Sequence, residues 1–469
     1  MKKNFKITKM VFSIFVLGVI FTSCEKEENV EFTEPEATSE LSEPPFSNYL
    51  VMSRDDETSK KAAESYLKSI KGLNIVSSIP EIGISVVKAS DIDLLKGVEE
   101  NGLTIVPDYE IKWIPTTSAE PAQPSEEVNP PSIGDNEPFF FYLWGMDAIN
   151  APESWNAGFT GKGASVFVLD SGIDAEHPDL SPNLNTSLST SFIQGEDWNI
   201  RPGRYFNHGS HVAGTIAAAN NQFGVIGVAP DAELVAVKVL SEFSGSGPFS
   251  SINAGIVYAG NNGADVINMS LGATLNKNGK LIDADGNEFK IPAVNIQTII
   301  QAQQRAVDHA FNKGVTIIAS AGNDGVNYDG NKAFIKLPGG LNNIITVSAT
   351  APEGWNFDYT SFYDVPASYT TYGRSLVDVA APGGDFDVSL FDGVVSTGSE
   401  GFYFSSGTSM AAPHVSGVAA LIIAKNGNGT MSPKEVARQI QNTSDNIDGN
   451  GQSLFFGKGR VNALRAVTE

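Results

Sequence analysis

Cysteine is almost missing: Cys24 is the only one in 469 residues, so no disulfide can form within the chain. Positive charge is scarce as well. Lys and Arg number 31 against 54 Asp and Glu, a formal charge of -23. Nucleic acid is held by clustered cations, so a nucleic-acid partner is not expected. Long apolar runs are also lacking. The run Met10 to Phe21 falls short of the roughly 20 residues that span a bilayer. What the chain does have is an ordinary soluble α/β composition, 41% hydrophobic and 18% charged, with 46 glycines that imply many tight turns. Its length allows a large core and more than one domain. No organic cofactor is expected.

Lys2, Lys3, Lys6 and Lys9 precede the apolar run, the order of a secretory signal over residues 1–23. The run ends in Phe21-Thr22-Ser23-Cys24. A small residue before a lone cysteine resembles a bacterial lipoprotein signal, with Phe21 where leucine is usual. The resemblance implies acylation of Cys24 and a lipid anchor on a bacterial envelope membrane. The alternative is a plain export signal and a periplasmic or secreted protein. Membrane contact is expected only through the anchor.

Residues 24–47 are acidic and rich in Ser, Thr and Pro, the composition of an unfolded tether. Residues 48–114 then alternate strand and helix patterns in the order β-α-β-β-α-β, that of a small α+β, ferredoxin-like domain. Its last strand is predicted to run from Leu103 to Ile114. Six prolines from Pro115 to Pro138 mark a linker open to proteolysis. From Phe139 to Glu469, short apolar runs alternate with helical segments. The runs are Val166–Leu169, Leu234–Leu240, Val266–Met269, Val315–Ala319 and Ile344–Val347. They suit strands of a doubly wound, mostly parallel sheet buried on both faces by helices. Such a sheet places its site at the carboxyl ends of the strands.

Four residues stand at such ends. Asp170 closes the first run in "VFVLDSGID". His208 opens "HGSHVAG" ahead of a helix through Ala219. Ser409 opens a helix in "SSGTSMAAPHVSGVAALIIA", and Asn323 follows a strand in "IIASAGNDG". A serine hydroxyl needs a base to become a nucleophile, and a neutral imidazole serves. A carboxylate orients the imidazole. An amide at the next strand end, with the N–H of Ser409, offers donors to an oxyanion. Each residue alone has an ordinary reading: Asp170 or Ser409 as a helix cap, Asn323 as part of a turn.

The segments "DSGIDAEHPDL", "HGSHVAG", "AGNDG" and "SSGTSMAAPHVSGVAAL" resemble, in that order, the motifs of the subtilases, the subtilisin-like serine peptidases. The resemblance covers about residues 139–467. It implies a subtilisin-like fold and an Asp170-His208-Ser409 triad, with Asn323 in the oxyanion hole and His211 and His414 structural. Ser210 stands where threonine is usual. The resemblance also implies that a peptide or protein substrate lies as a strand along Ser244, Gly245, Ser246 and Gly247 on one side and Ser270, Leu271 and Gly272 on the other, with Phe249 lining an outer subsite. No charge in those segments dictates one side chain, so broad specificity is expected.

"AAANNQFGVIGVAPDAEL" resembles the family's calcium loop. Asp179 and Asn221 would ligate by side chain, and Ala219, Phe223 and Val225 by carbonyl, as a structural Ca²⁺ site. Residues 48–114 resemble the subtilase propeptide, which inhibits the enzyme until cut away between Ile114 and Phe139. Residues 274–294 read as an insertion, with Asp285-Gly286 turning a hairpin; "DADGNE" within it lacks the full spacing of a calcium loop. The expected protein is an exported serine endopeptidase made as a self-processing zymogen. The competing readings are a non-catalytic cell-surface binding module on the same fold and an esterase-like acyl hydrolase.

Overall fold

Apolar spacing in residues 48–107 produces the expected small α+β domain. In the computed structural model, which describes residues 48–469 apart from 117, 128, 356–361 and 450, the strands Tyr49–Met52, Leu73–Ile79, Ile84–Ala89 and Thr104–Pro107 form one antiparallel sheet. The helices Glu57–Ser69 and Ile92–Glu100 start on Asp56 and Asp91, whose carboxylates accept first-turn N–H groups. The signal, the tether and Cys24 lie outside the described residues.

The last strand of this domain is shorter than predicted. It stops at Pro107, and Asp108 turns toward the start of the helix Phe249–Asn261, where its carboxylate accepts the N–H (3.1 Å) and the hydroxyl (2.5 Å) of Ser250. Glu110–Lys112 then leaves the small sheet and pairs antiparallel with Ser246–Pro248. An apolar run cannot reveal this break, because both halves bury side chains.

The five apolar runs all become strands of one eight-stranded sheet. Ser165–Asp170 lies at its centre, parallel to Glu233–Lys238 on one side and Val266–Met269 on the other. Thr316–Ser320 and Ile345–Ala351 continue the parallel order beyond Val266–Met269. Val166 and Val168 point into one core cluster, Phe167 and Leu169 into the other. The helices His208–Ala217 and Thr408–Asn426 cover the first face; Phe249–Asn261 and Ala293–Asn312 cover the second. The chain leaves the central strand in opposite directions, so a crevice opens at the carboxyl end of Ser165–Asp170.

The proline-rich segment is not a free linker. Ala119–Pro121 pairs antiparallel with Phe402–Ser405, and Glu137 is fully buried. The insertion folds as predicted around a hairpin: Lys280–Ile282 pairs with Glu288–Lys290, and Ala273–Asn276 joins them to Phe334–Leu337. Asp283 accepts the N–H groups of Asp285 and Asn287 and the Asn287 amide, so the hairpin turn itself uses the Asp283 carboxylate.

Candidate active site

Asp170 ends the central strand with its carboxylate fully buried. One oxygen accepts the N–H (2.7 Å) and the hydroxyl (3.1 Å) of Ser171, and both oxygens lie 2.9 Å from Nδ1 of His208. His208 is the first residue of its helix, and Asn207 is the cap: Asn207 Oδ1 accepts the Ser210 N–H and the Ser210 hydroxyl, each at 2.8 Å. Ser210 Oγ in turn accepts the N–H of Asp174, so the serine spans two segments of the site. A Cβ on Gly209 would overlap the Gly172 carbonyl, so only glycine lets the imidazole approach Asp170. With the proton of this contact on Nδ1, Nε2 is left as the basic nitrogen; it is buried and has no hydrogen-bond partner among the described residues.

Ser409 is the second residue of its helix, and the cap is Gly407, so Ser409 is not a capping residue. Its Oγ donates to the Ser270 carbonyl at 3.1 Å rather than to His208. The structure therefore joins Asp170 to His208 directly and leaves the Ser409 hydroxyl engaged elsewhere. Pro413 has no N–H for the Ser409 carbonyl four residues back. The Ser270 hydroxyl takes that carbonyl instead, at 2.8 Å.

Asn323 lies just past the strand Thr316–Ser320. Its Oδ1 accepts the N–H (3.0 Å) and the hydroxyl (2.7 Å) of Thr408. Two donors on one oxygen fix the amide orientation and leave its NH2 for a ligand. The Ser409 N–H, in the first helical turn, has no intrahelical acceptor. His211 and His414 are different from His208. Burial pushes His211 down to about 3 and His414 down to about 4, and each bonds to backbone carbonyls. Both are neutral packing groups.

The cleft already holds a strand: the chain's own. Ser246 registers with Lys112 and Gly247 with Ile111. The Gly245 carbonyl accepts the Trp113 N–H at 3.0 Å, and Gly272 N–H donates to the Trp113 carbonyl at 2.9 Å. The Trp113 indole donates to the Gly247 carbonyl, and its ring meets the Phe249 ring edge-on at 4.7 Å. Leu271 lines the wall beside Ser409, and Ser244 lines the wall beside His208. Pro115 borders both, so the chain passes directly over the pair.

Charged groups that sequence reasoning missed stand at this cleft, Lys336 and Asp285 among them, against the expectation of an uncharged one. Lys336, buried on the strand Phe334–Leu337, lays its side chain between Gly272 and Gly322. Its ammonium lies 2.6 Å from Asp324 and 3.3 Å from Thr274 Oγ. The cavity left beside Ser409 and Asn323 is about 20 Å³, room for about one water. The second charge is Asp285 at the tip of the hairpin, 2.7 Å from Lys112. Neither lies within the motif segments, and no local pattern signals their approach.

The expected calcium residues gather as well. One oxygen of Asp179 accepts the Val225 N–H at 2.9 Å; the other is buried with no hydrogen-bond partner among the described residues. Burial raises Asp179 to about 7, with the Val225 N–H pulling the other way. Asn221 Oδ1 accepts the Phe223 N–H, and no backbone N–H among the described residues donates to the Ala219, Phe223 or Val225 carbonyls. An unpartnered carboxylate oxygen beside free carbonyls fits a hard cation. Glu137, which the sequence reading left in the linker, holds the same loop from behind. Its carboxylate accepts the N–H groups of Asn221, Gln222, Phe223 and Gly224 at 2.6 to 3.0 Å.

A family model described as the Subtilase family matches residues 161–459. The M-protease of Shouchella clausii (strain KSM-K16) is 34% identical over 421 residues, covering 87% of this chain and 93% of that protein. Subtilisin Savinase of Lederbergia lenta is 38% identical over 325 residues, 69% of this chain and 98% of the other. Among solved structures, the epidermin leader peptide processing serine protease of Staphylococcus aureus covers 90% of this chain and 97% of its own, with a TM-score of 0.68 at 22% identity. At that identity the likeness is one of fold.

Proposed function

The chain belongs to the subtilase family and is a subtilisin-like serine endopeptidase acting on peptides or proteins, and on that footing we propose that Asp170, His208 and Ser409 are its reacting set. Ser409 turns about its Cα–Cβ bond, exchanging the Ser270 carbonyl for His208 Nε2. Catalytic contacts commonly tighten only with substrate in place. Nε2 takes the hydroxyl proton as Oγ attacks the scissile carbonyl carbon. Asp170 holds the imidazole by Nδ1 and stabilises its cation. The Asn323 amide and the Ser409 N–H receive the oxyanion. His208 then protonates the leaving amine, and water repeats the sequence to free the acyl group. The observation that carries this reading is the buried Asp170–His208 contact in a crevice already spanned by an extended peptide.

That peptide is the chain's own, which supports an inhibited precursor whose residues 48–114 are removed. The cut falls between Ile114 and Phe139, and the burial of Glu137 favours one ahead of that residue. A calcium ion held by Asp179, Asn221 and the carbonyls of Ala219, Phe223 and Val225 would neutralise the buried carboxylate and stiffen the loop; it takes no part in the reaction. The signal supports export, with Cys24 as the site of a lipid anchor. Labelling the purified protein with a fluorophosphonate and sequencing the modified peptide tests the core of this. The adduct is expected on Ser409; an adduct elsewhere, or none on an active protein, sinks the assignment.

A further inference from the structure

The inserted hairpin makes contacts that a loop on the surface has no need of. Its tip lies against the cleft peptide on the side away from Ser246–Pro248. Ala284 N–H donates to the Lys112 carbonyl at 2.9 Å. The Asp285 carboxylate receives the Lys112 ammonium at 2.7 Å, the Thr116 N–H at 2.7 Å and the Thr116 hydroxyl at 3.2 Å. The Asp285 side chain is 28% exposed and that of Lys112 25%, so the pair is shielded in part from solvent. The tip also borders a cavity of about 450 Å³ shared with Asn323 and Asp324. It faces the reaction crevice.

Resting on the endopeptidase reading above, we propose that Asp285 is a specificity-determining residue: the hairpin tip forms a third wall of the substrate cleft and selects a Lys or Arg at the substrate position taken here by Lys112. Three features of the geometry support this. The backbone contact of Ala284 is independent of side chain, so it places any extended substrate in the same register. The carboxylate then meets a side chain at that register and one N–H nearer the scissile bond, so it reads a cation while holding the main chain. An ammonium or guanidinium reaches it on a flexible apolar stem; a glutamate there would oppose Asp285 at close range. The segment of this chain that occupies the cleft carries the side chain the wall asks for.

The test uses the processed wild-type enzyme and fluorogenic peptides with the sequence of residues 108–121, carrying Lys, Gln or Glu at the position of Lys112. A partly shielded ion pair predicts kcat/KM about 3- to 10-fold higher for Lys than for Gln, with Glu lower still. In Asp285→Asn the Lys-to-Gln ratio should fall to about 1, and in Asp285→Lys the Glu peptide should overtake the Lys peptide. Charge-blind cleavage by the wild-type enzyme, or an unchanged ratio in Asp285→Asn, overturns the proposal. The wild-type comparison needs no variant enzyme, so it stands even where a hairpin variant fails to fold. Casein cleavage separates the two levels. An enzyme that cuts casein but ignores the peptide charge refutes the role of Asp285 alone; one that cuts neither refutes the endopeptidase reading with it.

Discussion

Replacing Lys336 by glycine should convert a nearly closed pocket into an open one. The side chain is 3% exposed and its stem lies where a Cβ on Gly322 would go, leaving about 20 Å³ beside Ser409 and Asn323. The wild-type enzyme should therefore prefer small residues, such as Ala, Ser or Thr, next to the scissile bond. Removing the stem admits a Leu or Phe side chain. Burying such a side chain contributes about 1.5–3 kcal/mol, equivalent to about 10- to 150-fold in kcat/KM at about 1.4 kcal/mol per decade. The variant also strips Asp324 of its ammonium, so Lys or Arg at that position should gain as well. The assay is kcat/KM on peptides differing only at the residue that enters the pocket, each compared with Ala. Lys336→Met retains the stem and should retain the small-residue preference. If Lys336→Gly leaves the Phe-to-Ala ratio where it was, the pocket is not the one Lys336 fills, and the reasoning fails.

Three further outcomes are expected. Ser409→Ala should lower turnover by about 10⁶-fold and Asn323→Ala by about 10²–10³-fold, magnitudes carried over from subtilisin; normal casein hydrolysis by Ser409→Ala would reject the nucleophile. In that inactive background, Glu137→Ala removes the acceptor of four N–H groups and should lower unfolding free energy in urea by about 3 kcal/mol or more, since bonds to a charged group contribute about 1.5–3 kcal/mol each; Glu137→Gln should cost less, and in the wild-type protein the mature N-terminus found by mass spectrometry should lie ahead of residue 137. Burial raises Asp108 from 3.8 to about 6, with Ser250 opposing. A raised acid binds its proton more tightly when docked, so the contact is strongest below pH 4 and weakens as pH climbs through about 6. Amide exchange of residues 108–114 in uncut Ser409→Ala, corrected for intrinsic rate, should speed up between pH 5 and 7, and Asp108→Asn should flatten that trend.

The sheet and the residues of the candidate site were legible because both are local signals. A strand buried on both faces is a short apolar run, and Asp170, Asn323 and Ser409 sit where such runs or helices begin and end. The occupant of the cleft was not legible. Trp113 and Ile114 continue an apolar pattern whether they extend the small sheet or cross to Gly245 and Gly272, and only the turn at Asp108 decides between them. Nothing in the sequence marks Lys336 as part of the site, yet it is buried, because the pleat points it at Asp324. Glu137 sat among prolines and acids that resemble a tether, and its four donors lie more than 80 residues away. Tertiary approach of this kind leaves no periodicity in the chain.

The crossing peptide is pinned on both flanks, by Glu110–Lys112 on Ser246–Pro248 and by Ala119–Pro121 on Phe402–Ser405. On the self-processing reading proposed above, the first bond offered to Ser409 is tethered to the same molecule, so its rupture should be a unimolecular event whose half-life does not change on dilution. On the same reading each severed end would keep its own anchor, and the onset of activity toward other proteins would be timed by departure of the upstream piece rather than by the scission itself.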